Sequence, residues 1–342
     1  MNRIIYLVAH VFLALFLLAV LPGQAGTVTW TNIQGGNWSG GSNWSPNGGP
    51  GSGDTAVLPD VGNSYSVVLN VPATVSGLVV GAANGANTQT FLTGSQTLTV
   101  NGAIQVNSRG VFNLDGGGIT GTNGLAGTLT VSAGTLSGAM TVSNGSVLTL
   151  NAAGNYVSLV GWTLTNNGTV NWTNTAIYAG SGPQIYNYGL WNEQSDDTWN
   201  GANLGGAGTV FDNFGTFLKS GHAGATTLDG QVTLNNTGTV EVESGTLKAG
   251  GGGTSSGSGV FNAAGGATME FNAGYNFLSG SSFSGTGGVV LAGGGTLDCV
   301  ITNANVQLTG GTLTGTNGLA GTLTCTGGTL SGAMTVSNSG VL

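Results

Sequence analysis

Residues 166–172 read NNGTVNW. An Asn-Asn-Gly corner leads into a run in which apolar Val170 and Trp172 alternate with Thr169 and Asn171. Alternation at every second position is the mark of a strand with one buried face, because successive side chains on a strand point to opposite sides. Asn and Gly are turn formers that tolerate positive φ. The same unit, corner then alternating run, returns as NYGL (187–190), NFGTF (213–217), NNTGTV (235–240) and NAAGGATM (262–269), and NGSV (144–147) precedes it. The corner glycines fall at 145, 168, 189, 215, 238 and 265, a similar though uneven interval each time.

One such unit is too small to bury its own apolar face. Stacked on its neighbours it does so, each coil hydrogen-bonding to the next at a spacing of about 4.8 Å. The pattern therefore predicts an all-β fold, a single-stranded right-handed parallel β-solenoid (β-helix) with about 20–27 residues per coil. No segment after residue 25 has a 3.6-residue apolar period, and the 67 glycines would disrupt any helix. A β-sandwich is the competing arrangement. It gives no reason for one corner to recur at coil-length intervals.

A coarser repeat overlies the fine one. Residues 116–148 and 310–342 align without a gap at 26 identities in 33 positions. This predicts a large unit (116–309) followed by a truncated second copy (310–342). The copy stops at Leu342 in mid-strand, which reads as a fragment of a longer array, and its open C-terminal edge invites self-association. The solenoid is assigned to 76–342 and a Trp-rich cap or entry segment to 26–75. Residues 1–25 read as a cleaved signal peptide: Arg3, then the apolar VFLALFLLAVL (11–21), then Pro22 and the small residues around Ala25. A membrane anchor is the alternative reading of that segment. No later segment is apolar enough to span as a helix.

Charged residues make up only 5% of the chain while apolar residues make up 39%, a balance that excludes disorder. Solubility falls to Thr, Ser, Asn and Gly. After residue 25 only Arg109, Lys219 and Lys248 stand against twelve acidic residues, a formal charge of −9. Nucleic acid is excluded as a partner, since phosphate neutralisation needs a basic face.

With these two periods, the chain resembles bacterial exported β-solenoid repeat proteins, of the autotransporter-passenger and filamentous-haemagglutinin-like kind. The resemblance is carried by TWTNIQGGNWSGGSNWSPNGGPGSGDTAVL (29–58), FDNFGTFLKSG (211–221) and NNTGTVEVESGTLKAGGGGTSSGSGVF (235–261). It covers essentially all of 26–342. It implies a secreted or cell-surface location and an adhesion, matrix or spacer role, and it supplies no catalytic residues. The expected partner is an extracellular polysaccharide, or a host or neighbouring cell surface.

Candidate chemistry is sparse. Trp30, Trp38 and Trp44 offer flat rings for stacking on sugars, or else they cover the first coil. In WNEQSDDTW (191–199), Trp191 and Trp199 bracket Glu193, Asp196 and Asp197, which suggests a sugar or calcium loop or simply a lateral loop. Glu241 and Glu243 share one side of a strand at about 6.5 Å, near the spacing of inverting glycosidases, or are its wet face. His222 has no evident Ser, Cys or Asp partner, and Arg109 sits in a turn-like NSRG. Cys299 and Cys325 are separated by about one coil, so a disulfide and two free thiols both remain open. Threonine rows are too unevenly spaced for ice binding. No cofactor or metal is expected. The sequence points to a non-catalytic stalk or adhesin with multivalent weak binding, and its alternative is a carbohydrate-binding or polysaccharide-cleaving β-helix.

Overall fold

The computed structural model describes residues 26–302 and 305–342, so the signal-peptide reading lies outside the described residues. The chain winds into a parallel β-solenoid of about 13 turns, averaging about 21 residues each. At about 4.8 Å per coil the stack is ~60 Å long. Its only helical element among the described residues is a 3-10 turn at Gly41–Asn43. None of the described helices is long and apolar enough to cross a membrane.

Each coil has three sides. On the first face, Thr55–Leu58 stacks on Gly77–Val80, and the column continues through Gln184–Asn187 and Val232–Asn236 to Thr312–Thr314. The second face runs from Tyr65–Val68 through Leu190–Glu193 and Thr239–Val242 to Thr316–Leu319. The third runs from Ala73–Val75 through Thr198–Asn200 and Thr246–Ala249 to Leu323–Cys325. The alternation read from sequence is the burial pattern observed. In Thr169–Trp172 and Thr239–Val242 alike, the second and fourth residues are buried. Inward side chains stack in columns, such as Phe91, Phe112, Leu129, Leu148, Val170, Trp191, Phe217, Val240 and Phe261 on the second face.

Coil length is more variable than the corner spacing suggests. A long coil carries Asn187 round to Asn213, whereas a much shorter one carries Val289 round to Val306. The Trp-rich segment assigned to a separate cap is itself wound: Thr27–Trp30 pairs in parallel with Thr55–Leu58 on the first face, and antiparallel with Trp44–Ser45. The winding thus begins well before residue 76.

The two near-identical segments occupy different faces. Leu125 lies on the first face between Ile104 and Val142, whereas its counterpart Leu319 lies on the second face beside Ile301. Leu129 is on the second face, and Leu323 is on the third. The coarse repeat therefore ends one face further round. These short coils have three similar Gly-led sides, so a given side fits any face.

The recurrent Asn-Xaa-Gly corner has a specific cause. The asparagines point inward and form a ladder: Asn166 Nδ2 donates to Asn187 Oδ1 (2.7 Å), Asn187 to Asn213 (2.8 Å), and Asn213 to Asn236 (2.9 Å). Each amide also donates to a backbone carbonyl just past the next coil's corner, at Leu190, Thr216, Thr239 and Val260. The corner glycines Gly189, Gly215 and Gly238 do not adopt positive φ, contrary to the turn-chemistry expectation. A Cβ on Gly215 would lie 2.2 Å from Gly189 O, and one on Gly238 would lie 2.1 Å from Gly215 O. Glycine is required there because coils approach closely.

Candidate functional site

All five tryptophans expected at a sugar-contact surface are in the core. Trp30, Trp38 and Trp44 are buried against one another, with ring centroids 5.0 Å (Trp30–Trp44) and 4.8 Å (Trp38–Trp44) apart. Their polar edges are used internally: Trp30 Nε1–H donates to Asn32 O at 2.7 Å and Trp44 Nε1–H to Trp38 O at 2.8 Å. Trp191 points in from the second face and Trp199 from the third, and the two stack at 5.3 Å inside the prism. Their indole N–H groups meet no partner among the described residues, so these rings serve as volume. None of these five indole faces is presented to solvent, and their assignment to a glycan surface is corrected.

The acids between Trp191 and Trp199 are split by parity. Glu193 lies two residues beyond Trp191 and therefore also points inward, where it is fully buried. Directly above it in the same column, one coil on, is Lys219, equally buried. Lys219 Nζ donates to Glu193 Oε2 (3.2 Å), to Ser195 O (2.8 Å) and to Asp196 Oδ1 (3.1 Å). Glu193 Oε1 accepts from Ser195 N–H and Oγ–H, and Thr226 Oγ1 lies 2.7 Å from Oε2. Burial lifts the Glu193 carboxyl above its usual 4.5, while the hydrogen bonds from Thr226 and Ser195 and the charge of Lys219 oppose that rise. Every polar atom of this ion pair is satisfied, which is the condition for tolerating it in an apolar core. Its work is to hold the 194–197 loop against the following coil.

Outside that loop, Thr173, Asn174, Gln194, Ser195, Asp196, Asp197 and His222 line an open cleft of about 550 Å³. His222 is exposed on the rim, beside acids from the preceding coil. Asp196 is occupied by Lys219 and by the Gly224 N–H. Among the described residues no group of three His, Cys, Asp or Glu side chains is placed to hold a metal ion. Sequence reasoning missed Lys219 as the partner of Glu193. The available signal was a charged residue at an inward parity, two positions after Phe217 in FLKS.

The remaining candidates are dispersed. Glu241 faces outward on the second face and accepts a hydrogen bond from Asn262 Nδ2 at 3.0 Å, while Glu243 lies past the end of that strand. Arg109 is exposed at a corner. Cys299 is buried, Cys325 is exposed, and both are free thiols. The expected stacking fails because the coils are short here, with Val306 lying on Val289 and Leu323 on Val306. The separation of the cysteines therefore overshoots one coil, and Leu308, not Cys299, is the neighbour of Cys325. Burial, with the neighbouring Asp298 charge, pushes the Cys299 thiol up to about 12. In comparison with known proteins, the chain matches no family model, no curated protein and no solved structure.

Proposed function

We propose that this is a non-catalytic exported surface or matrix protein, a stiff repeat stalk that holds weak contact faces along its length in the manner of exported bacterial β-solenoids. The observation that carries the reading is the three-faced parallel winding of about 13 turns. Parallel stacking makes every coil a spacer of fixed rise, and the outer faces are dominated by Thr, Ser, Asn and Gly. The one fully buried ionic cluster among the described residues is turned inward to brace a loop. A surface of this kind gains avidity through repetition, since linked weak contacts bind together far more tightly than one alone. The apolar segment at 11–21 supports export.

Two measurements test it. Fractionation of cells producing the chain, followed by protease treatment of intact cells, is expected to find it outside the cytoplasm; an exclusively cytoplasmic chain refutes the export reading. Beads carrying the chain at rising density, applied to extracellular polysaccharide, are expected to be retained with a steep dependence on density. Retention independent of density, or release of sugar products, refutes the stalk reading.

A further inference from the structure

The residue after each ladder asparagine stands at the outer edge between the first and second faces. In successive coils this position holds Asn167, Tyr188, Phe214 and Thr237. Two of the four are aromatic, and both are substantially open to water: Tyr188 is 54% exposed and Phe214 is 43% exposed. Their rings stack with centroids 4.7 Å apart and planes 10° from parallel. The core does not need them, for it is filled at this level by Trp191, Phe211 and Phe217. The two rings pack on each other across adjacent coils, yet each remains substantially open to water, so aromatic surface is available there to a ligand.

Beside this stack the first face is indented. An open cleft of about 450 Å³ is bordered by Phe214, Asp212, Asn235, Thr237, Thr254 and Ser256. Asp212 and Asn235 are direct neighbours on adjacent coils. Asn235 Nδ2 donates to Asp212 Oδ1 at 2.8 Å, and Asn235 Oδ1 accepts from the Thr254 N–H at 3.1 Å, which fixes the orientation of the amide. Asp212 Oδ2 and the second Nδ2–H of Asn235 then have no partner among the described residues. The result is one aromatic plane with an acceptor and a donor side by side next to it.

The charges select the ligand. No Lys or Arg borders the cleft: Lys219 is buried in its own ion pair, and Lys248 on the third face pairs with Glu270 at 3.4 Å. Phosphate, sulfate or uronate would meet only the Asp212 carboxylate. A neutral sugar ring fits both halves of the site. Its polarised C–H face is attracted to the negative face of an aromatic ring. Two adjacent hydroxyls, one donating and one accepting, match the free Asp212 oxygen and the free Asn235 N–H.

We propose that this corner cleft binds a neutral hexopyranose unit of a glycan, stacked on Phe214 and hydrogen-bonded by Asp212 and Asn235. The cleft is open to the face, so an internal unit of a glycan chain can enter. The inference names the ligand class of one weak contact of the stalk and rests on that reading only for its biological use.

The test titrates the full chain with soluble hexasaccharides of glucose, mannose and galactose, and with oligogalacturonate as the anionic counterpart, read by calorimetry and ligand-observed NMR. At least one neutral hexasaccharide is expected to bind, with affinity reduced on the order of tenfold by Phe214→Thr and by Asp212→Asn. Phe214→Thr installs the residue type that the next coil already carries at this corner, so the fold tolerates it. Tyr178→Ala, in the separate Tyr156–Tyr178 stack at 4.5 Å, is expected to leave binding unchanged. The proposal is overturned if no neutral sugar binds, if oligogalacturonate binds better, or if binding survives both cleft variants. A cytoplasmic location would defeat the stalk reading and leave this binding result intact.

Discussion

Asn213→Ala tests the asparagine ladder directly. Asn213 is buried in mid-ladder, accepting from Asn187 Nδ2 and donating to Asn236 Oδ1 and Thr239 O. Truncation leaves one N–H of Asn187 and the Oδ1 of Asn236 without partners in a dry interior. Each buried unsatisfied group costs about 1–3 kcal/mol, so the substitution is expected to destabilise this region by ~2–6 kcal/mol. In a solenoid each coil contacts only its neighbours, so the loss is local. Native-state hydrogen exchange is the fitting assay. Amides of Thr216–Lys219 and Thr239–Val242 are expected to lose protection, while those of Thr55–Leu58, many coils away, keep theirs. The double variant Asn187→Ala/Asn213→Ala removes both partners of their shared bond, so neither the Asn187 N–H nor Asn213 Oδ1 is left stranded as in the single variants, and it is expected to cost less than the sum of the singles by about 2–6 kcal/mol. Uniform loss along the whole stack, or strict additivity of the two substitutions, would refute the ladder as a local staple.

Other expectations follow from the same geometry. Gly215→Ala places a Cβ against the Gly189 carbonyl and is expected to cost at least ~1–3 kcal/mol by thermal or urea unfolding, and a neutral result would contradict the close-approach account. Lys219→Met strands a buried carboxylate and is expected to cost ~3–5 kcal/mol, whereas Glu193→Leu/Lys219→Met removes the whole pair and is expected to cost less than the single change; the reverse order would refute the account of the pair. Because the folded state raises the Glu193 pKa, it holds that proton more tightly than the unfolded chain does. Its contribution is present below about pH 4.5 and fades as pH rises through the folded value, so the stability of wild type relative to Glu193→Gln is expected to fall over that window, and parallel profiles would disprove it. Alkylation of the native chain is expected to modify Cys325 alone, with Cys299 reacting only after unfolding; native modification of both would overturn their placement.

Features that depend only on near neighbours along the chain are legible in the sequence. Val170 and Trp172, or Val240 and Val242, announce their strands by alternation, and the Asn-Xaa-Gly spacing announces coils, because both signals span a few residues at a time. The chain therefore reads as a stacked all-β winding. Features that depend on the next coil are not legible in this way. Trp191 and Glu193 share a parity, and in sequence a tryptophan beside acids resembles a wet loop. Trp191 turns inward with the parity of its strand, and Glu193 is tolerated at the same parity because Lys219, one coil later, lands directly above it and pairs with it. The corner glycines, which as sequence ask for positive φ, instead ask for room beneath the neighbouring backbone. Cys299 and Cys325 match a coil of average length, but the winding tightens between Val289 and Val306 and puts Leu308 beside Cys325. Residues 116–148 and 310–342 are almost the same text on different faces, since a face is fixed by the summed length of all preceding coils, and no local stretch encodes that sum.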